Sequence, residues 1–472
     1  MQLIGRHEER ADFERFMESK KSEFVVVFGR RRVGKTFLVR EHFSSRFSFY
    51  HTGMANTDVA MQLKSFKSSL REYGKKPYPE VETWFEAFEQ LVHLLSNTKQ
   101  KGKKVVFIDE MPWLDTPRSG FIQALEYFWN SWASAQKNIL LIVCGSATSW
   151  MMNKLIKNHG GLHNRVTQQI YLPPFNLGEC EEFFQKHNMA LTRRQIVENY
   201  MIFGGIPYYI SLMQKQLSMA QNIDRLCFAE KGALKNEFEN LYASLFKNHE
   251  KHVKIVATLS KKAKGLTREE IIQYAELPNG GGLTKTLEDL ELCGFIRKFN
   301  AFEKVERQCL FQLTDFFTLF YFNFMKNNKL NDEHYWSNFI ENARHRVWSG
   351  YAFEQVCLAH LRQIKEKLGI AGVLTDVTSW RSREAANGAQ IDLLIERNDK
   401  VINLCEVKFA SSEFTIDKKY DEVLRNKRAA FKYETKTRKS VHLTMITTYG
   451  VQHNAYWGNI QSEVAMDDLF EK

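Results

Sequence analysis

The sequence predicts an α/β fold, on three observations. Apolar runs of strand length alternate with helical patterns through the first third of the chain. Those runs are almost uninterrupted, as expected of parallel strands covered on both faces. A second α/β pattern begins after a polar stretch near residue 330. At 472 residues the chain is about three times a typical domain of ~150 residues, so two to four domains are expected. Its 44% hydrophobic and 26% charged residues exclude a disordered chain, and 8 Pro with 25 Gly exclude a collagen-like or low-complexity one.

Taken in order, FVVVF (Phe24 to Phe28) reads as a buried strand, followed by glycine punctuation and a helix from Lys35 to Phe43. KVVFIDE (Lys104 to Glu110) and ILLIVCGSA (Ile139 to Ala147) are further strands of the same kind. From Leu177 to Asn248 the pattern turns helical, broken by FGGIP (Phe203 to Pro207). Short helices at Val253–Leu259 and Arg268–Tyr274, the turn LPNGG and the helix LTKTLEDLELC precede two candidate hairpin strands, Phe295–Phe299 and Gln308–Leu313. Three short helices and a hairpin make a winged-helix arrangement. FFTLFYFNFM (Phe316 to Met325) is apolar nearly all round and reads as a core or interface helix. The polar stretch Lys326 to His334 is the linker candidate, and the tail adds a helix near Tyr351–Lys367 and the strands QIDLLIE and VINLCEVK. The expected blocks are a P-loop core over 1–175, a helical lid over 176–248, a winged helix with linker over 249–330 and an α/β tail over 331–472.

The sharpest signal is GRRRVGKT, which fits G-x-x-x-x-G-K-[ST] between a strand and a helix. Its glycines let the loop curl so that backbone N–H groups of Gly29, Arg30, Arg31, Arg32, Val33 and Gly34 form an anion cradle, with Phe37 just inside the helix. Lys35 can reach the β- and γ-phosphates of ATP, and the Thr36 hydroxyl can ligate Mg²⁺. VVFIDE supplies a strand ending in carboxylates, of which Asp109 would hold Mg²⁺ and Glu110 would polarise the attacking water. Ser146 stands where a γ-phosphate sensor could sit, or is simply a turn serine at a strand end. Arg165 could serve as an arginine finger towards a neighbouring copy, although an exposed arginine is usually only solvated.

Seven scattered cysteines with no C-x-x-C pair read as buried free thiols in a reducing compartment. The N-terminus lacks an apolar signal core, and no apolar run approaches the ~18–20 residues of a membrane span. These features point to a cytoplasmic protein without a membrane partner. The net charge of +11 permits an anionic partner without identifying one.

LIGRHEE, GRRRVGKT, VVFIDEMPWL, CGSATS, LPPF and FGGIP, in that order, resemble the AAA+-like ATPases first noted in archaea, relatives of the STAND switch ATPases. The resemblance implies an ATPase core and winged helix fused to a further C-terminal domain. It also implies Gly5 and Arg6 as a box near the adenine, Pro207 as a G-x-P element near the base, and ATP as cofactor. Family members often carry arginines in the variable loop positions, so Arg30 to Arg32 are compatible with ATP.

The tail holds a second constellation: Glu354, Asp392, Glu406 and Lys408. Charged residues inside short apolar strands are costly unless they meet a metal or a partner. Glu406 and Lys408 share a strand face, and a three-residue turn at Asn398–Lys400 would set Asp392 opposite Glu406, whereas a two-residue turn would put it on the wrong face. Two facing carboxylates can bind Mg²⁺, and Lys408 can orient or deprotonate a water for attack on a phosphodiester. The pattern of helix Glu, then D-x13-E-x-K, resembles the PD-(D/E)XK nucleases. That resemblance implies a restriction-endonuclease-like α/β domain acting on DNA or RNA. Residues 411–440 carry nine Lys/Arg against five acids, either a track for a phosphate backbone or a solvated helix face. The helix LTKTLEDLELC uses Leu283, Leu287 and Leu290 for packing and leaves Thr284, Lys285, Glu288 and Asp289, a mixed set poorly suited to DNA. Two functional expectations follow. One is an ATPase coupled to a Mg²⁺-dependent nuclease-like domain, in which ATP bound between core and lid repositions the tail. The other is a signalling or scaffolding ATPase whose tail only binds a protein partner or a second copy.

Overall fold

In the computed structural model, the residues described are 3–157, 162, 164–246, 248–300, 302, 309–328, 332–339, 342–382 and 389–471. The chain divides into two compact units, Met1–Pro174 and Phe175–Lys472.

The first unit is built on five parallel strands: β1 (Glu23–Phe28), β2 (Phe47–Thr52), β3 (Lys104–Asp109), β4 (Ile139–Gly145) and β5 (Gln168–Tyr171), in the order β2-β3-β4-β1-β5. Every residue of β1 and β4 is buried, because helices cover both faces of the sheet centre. Side chains alternate between the faces. Phe24, Val26, Val106 and Val143 meet helices 59–74, 84–97 and 121–131 around the fully buried Trp84. On the other side, Phe107 stacks with Phe47, and Phe43 packs against Phe13 of helix His7–Glu18. Parallel pairing puts the C-terminal ends of β1, β3 and β4 on one edge of the sheet, the usual place for a ligand crevice in such folds.

The second unit begins with a run of helices between Leu177 and Leu245. Helices His249–Leu259, Arg268–Ala275 and Gly281–Leu292 follow, then the antiparallel pair β6 (Ile296–Phe299) and β7 (Leu310–Leu313). Gly294 takes φ +74° at the end of the third helix. Gln308, expected in the hairpin's second strand, lies outside the described residues. Leu283, Leu287 and Leu290 are buried, while Thr284, Lys285 and Glu288 are exposed.

The Phe316–Met325 segment forms a largely buried helix that ends in a π-helical turn. Residues 329–331 of the linker candidate lie outside the described residues. Its flanks are stitched down, with Asp332 N–H donating to Asn328 (3.0 Å) and Glu230 N–H donating to Glu333 (2.6 Å).

The tail sheet contains β8 (Thr375–Arg381), β9 (Gln390–Arg397), β10 (Val401–Lys408), β11 (Ser440–Thr447) and β12 (Ser462–Ala465), in the order β12-β11-β10-β9-β8. Its pairing is mixed: β8, β9 and β10 run antiparallel, while β11 and β12 join β10 in parallel. Helix Lys418–Thr435 makes the crossover from β10 to β11 and sinks Leu424 and Phe431 into the core beside Leu404 and Leu443.

Candidate functional site

The loop after β1 has the conformation its glycines permit. Gly29 takes φ +145°, and a Cβ there would lie 2.4 Å from the Leu172 carbonyl oxygen. Gly34 takes φ +92° as the helix begins. Lys35 is buried, its Nζ donating to the carbonyls of Gly29 (2.9 Å) and Arg30 (2.8 Å), so the ammonium lies across the loop it serves. Thr36 Oγ1 donates to Asp109 Oδ1 at 3.1 Å. Asp109, buried at the end of β3, also accepts from the Glu110 N–H (2.9 Å) and the Cys144 thiol. Burial and the neighbouring Asp109 push that thiol's pKa well up, so it stays a neutral donor. Glu110 follows in a left-handed conformation (φ +45°), and its carboxylate accepts from Ser146 Oγ at 2.8 Å. Ser146 therefore touches Glu110.

Arg6 is buried in a left-handed conformation, its guanidinium donating to the carbonyls of Val33 (3.3 Å) and Pro173 (2.7 Å). Gly5 before it is also left-handed, φ +62°. Arg30 is buried, Arg31 and Arg32 are half-buried, and Phe37 is exposed beside the loop. Arg165 is exposed in a turn, and its side chain meets none of these groups among the described residues. Pro207 belongs to the second unit, where it starts a short helix after Gly205, whose carbonyl accepts from Phe175 N–H at 2.8 Å. A hydroxyl and a carboxylate in contact beside a glycine-rich anion cradle are the oxygen ligands Mg²⁺ uses when nucleotide phosphates complete its shell. Thr36 and Asp109 could hold that ion.

Residues 3–213 match a family described as an ATPase domain predominantly from Archaea. An uncharacterized protein of Methanocaldococcus jannaschii is 26% identical over 411 residues, covering 86% of this chain and 87% of that protein. Among solved structures, the Walker-type ATPase of Pyrococcus abyssi is similar at 18% identity and TM-score 0.49, over 68% of this chain and 96% of that one. The ORC2 protein of Aeropyrum pernix, in ADPNP–ADP complexes, is similar at 14% identity and TM-score 0.41, over 66% and 90%. A STAND protein of Pyrococcus horikoshii with a tetratricopeptide repeat sensor is similar at 16% identity and TM-score 0.31, over 76% and 50%. Among the described residues no helix is long and apolar enough to cross a membrane.

In the second unit, the turn between β9 and β10 spans Asn398–Lys400, three residues. The antiparallel register pairs Leu404 with Leu394 and Cys405 with Leu393. One step further along that register sets Asp392 opposite Glu406. Helix Ala343–Ala359 brings Glu354 to the same place, and Glu354, Asp392, Glu406 and Lys408 all line one cavity of about 240 Å³. Burial, then the nearby Asp392 and Glu406, push the Glu354 pKa up to about 8, with Lys408 and Lys264 pulling the other way. Glu354 is thus largely protonated at neutral pH.

Glu406 has the opposite character. Burial alone would raise its pKa, but Lys427 and Lys408 overcome that and lower it. Its carboxylate accepts from Lys427 Nζ (2.8 Å) and Tyr420 Oη (2.7 Å) and is ion-paired with Lys408 Nζ (3.1 Å). Asp392 accepts from the Gln390 amide. Among the described residues no three His, Cys, Asp or Glu side chains stand close enough together to hold a metal ion. The four residues share a cavity, and within it lysines occupy Glu406. Lys427 and Tyr420 escaped the sequence reading as members of this site. Lys427 was visible only as one of many cations in the basic 411–440 stretch, and three of those (Arg425, Lys427 and Lys439) are in ion pairs with carboxylates.

Proposed function

We propose that this protein is an ATP-binding and ATP-hydrolysing switch whose second unit acts on nucleic acid. The observation that carries the first half is the part-buried hydrogen bond between Thr36 and the buried Asp109 beside the Lys35 loop. On binding ATP, Lys35 would exchange its two loop carbonyls for phosphate oxygens. The loop amides would cradle the anion, and Mg²⁺ held by Thr36 and Asp109 would neutralise charge between the phosphates. Glu110, oriented by Ser146, would position the attacking water. Gly5 and Arg6 are assigned to the base, Arg6 also anchoring the loop through Val33.

For the second half, residues 249–330 are read as a winged helix with linker and 331–472 as a PD-(D/E)XK-like domain. The support is the convergence of Glu354, Asp392, Glu406 and Lys408 on one cavity in the register that faces Asp392 with Glu406. Mg²⁺ would be taken by Asp392 and Glu406 and would supply Lewis acidity to a phosphodiester. The lysines now on Glu406 must share or yield it for that to happen. Lys408 would orient the water. A second reading is favoured by those same ion pairs: with Glu406 neutralised by Lys408 and Lys427, the tail would bind a partner without cleaving it.

Cleavage assays separate the two. Wild type and Asp392→Ala are compared on DNA and RNA with Mg²⁺ or Mn²⁺, with and without ATP. Cleavage by wild type alone supports the nuclease, and equal cleavage by both places the activity elsewhere. No cleavage by either leaves the binding reading.

A further inference from the structure

Beside the carboxylate cavity lies a larger one of about 620 Å³, and the two share Lys264, Glu354, Asp392 and Lys408 as walls. The larger cavity is lined as well by a different part of the chain: the turn at Ala263–Lys264 and residues Arg297–Phe299 of β6. That turn reads Lys261-Lys262-Ala263-Lys264 and is exposed throughout. Arg297 fixes the position of the wall. Its guanidinium donates to Gln312 on the neighbouring strand (2.9 Å) and to Gln355, the residue after Glu354 (3.1 Å). Lys264 and Lys298 are exposed and form no ion pair among the described residues. Half-buried Phe299 and Tyr351 add aromatic surface to the same walls. Free cations interleaved with aromatic rings suit a flexible single strand, whose phosphates and bases are both accessible.

We propose that this cleft takes one strand of nucleic acid, with Lys264 and Lys298 holding its phosphates beside the Glu354–Asp392 wall that it shares with the carboxylate cavity. The inference rests on reading that wall as a nucleic-acid site, and it assigns the contact to the lysine turn and β6. The helix Gly281–Leu292, whose exposed face mixes Lys285 with Glu288, is not the reader.

The test is fluorescence anisotropy of the full-length protein with labelled single-stranded DNA, single-stranded RNA and the DNA duplex. It is run in EDTA, so that binding is read without cleavage. Wild type should prefer the single strands. The variant K264E/K298E should lose about tenfold or more in affinity, and the slope of log K against log salt should fall by about 1.4 for two lost phosphate contacts. K285E should bind as wild type does. Wild-type affinity in K264E/K298E, duplex preference abolished by K285E, or no oligonucleotide binding at all would each overturn the proposal. Binding that depends on Lys264 and Lys298 without any cleavage would leave this inference standing and remove the nuclease. Cleavage that is indifferent to K264E/K298E would do the reverse.

Discussion

Replacing Glu354 by Gln should stabilise the metal-free protein, and by an amount that grows with pH. The folded chain raises the pKa of this carboxyl from its usual 4.5 to about 8, through burial first and then the charges of Asp392 and Glu406. A raised folded pKa means that the folded state holds a proton the unfolded chain has released. Stability is therefore complete below the unfolded value near 4.5 and is lost as pH rises through the folded value near 8. Between these limits the loss is about 1.4 kcal/mol per pH unit, so near pH 7 the penalty amounts to about 3 kcal/mol. Gln keeps nearly the shape of the protonated acid and has nothing to titrate. Urea titrations in EDTA at a series of pH values, followed by tryptophan fluorescence, measure the difference. Near pH 5 wild type and variant should almost coincide, and the gap should open steadily towards pH 8. A gap that does not change with pH would show that Glu354 is ionised in the folded protein, and the account of its environment would fall.

Two further outcomes follow from the geometry. Lys35→Ala removes the ammonium that spans Gly29 and Arg30, so ATP affinity measured by calorimetry should drop about a hundredfold, the worth of one or two charge-assisted hydrogen bonds; unchanged affinity would count against the loop as the nucleotide site. His360 is buried, its Nδ1 bonded to Val356 O (2.8 Å) and its Nε2 accepting from Leu177 N–H (3.0 Å), and burial lowers its pKa to about 4. A depressed folded pKa gives stability that is present above the usual 6.5 and lost as pH falls towards 4. His360→Leu should cost about 1–3 kcal/mol near neutral pH by orphaning the Leu177 N–H, and should flatten the acid side of the stability profile. Denaturation midpoints at two pH values check both.

Much of the architecture was legible because its signals are local. β1, β3 and β4 are central strands with both faces covered, so their apolar runs stand out in the sequence. β2 and β5 escaped notice because these edge strands break the apolar run with polar residues: Ser48 and His51 in β2, which are buried, and Gln168 and Gln169 in β5, which are not. The register that carries Asp392 towards Glu406 hinged on a loop length that propensity left open, and the left-handed Lys400 (φ +67°) helps close the turn at three residues. Glu110 and Ser146 were named separately for different duties, and only the packing of β3 against β4 showed that they bond to each other.

The sequence by itself determined the phosphate loop, since the backbone twist that cradles an anion is encoded in eight consecutive residues and needs nothing distant to specify it. It also supplied the identities of the tail carboxylates and the strand faces they share, because side-chain alternation along a strand is a property of the backbone. Only the tertiary structure decided their charge states. Glu406 is ionised because Lys427 and Tyr420, 21 and 14 residues away in the chain, donate to it. Glu354 keeps its proton because burial removes the water that would solvate its charge. Lys264 and Arg297 belong to the same cleft through packing between segments far apart in sequence. Solvation and Coulomb interaction depend on distance in space, and a linear pattern carries that information only where neighbours in sequence are also neighbours in the fold.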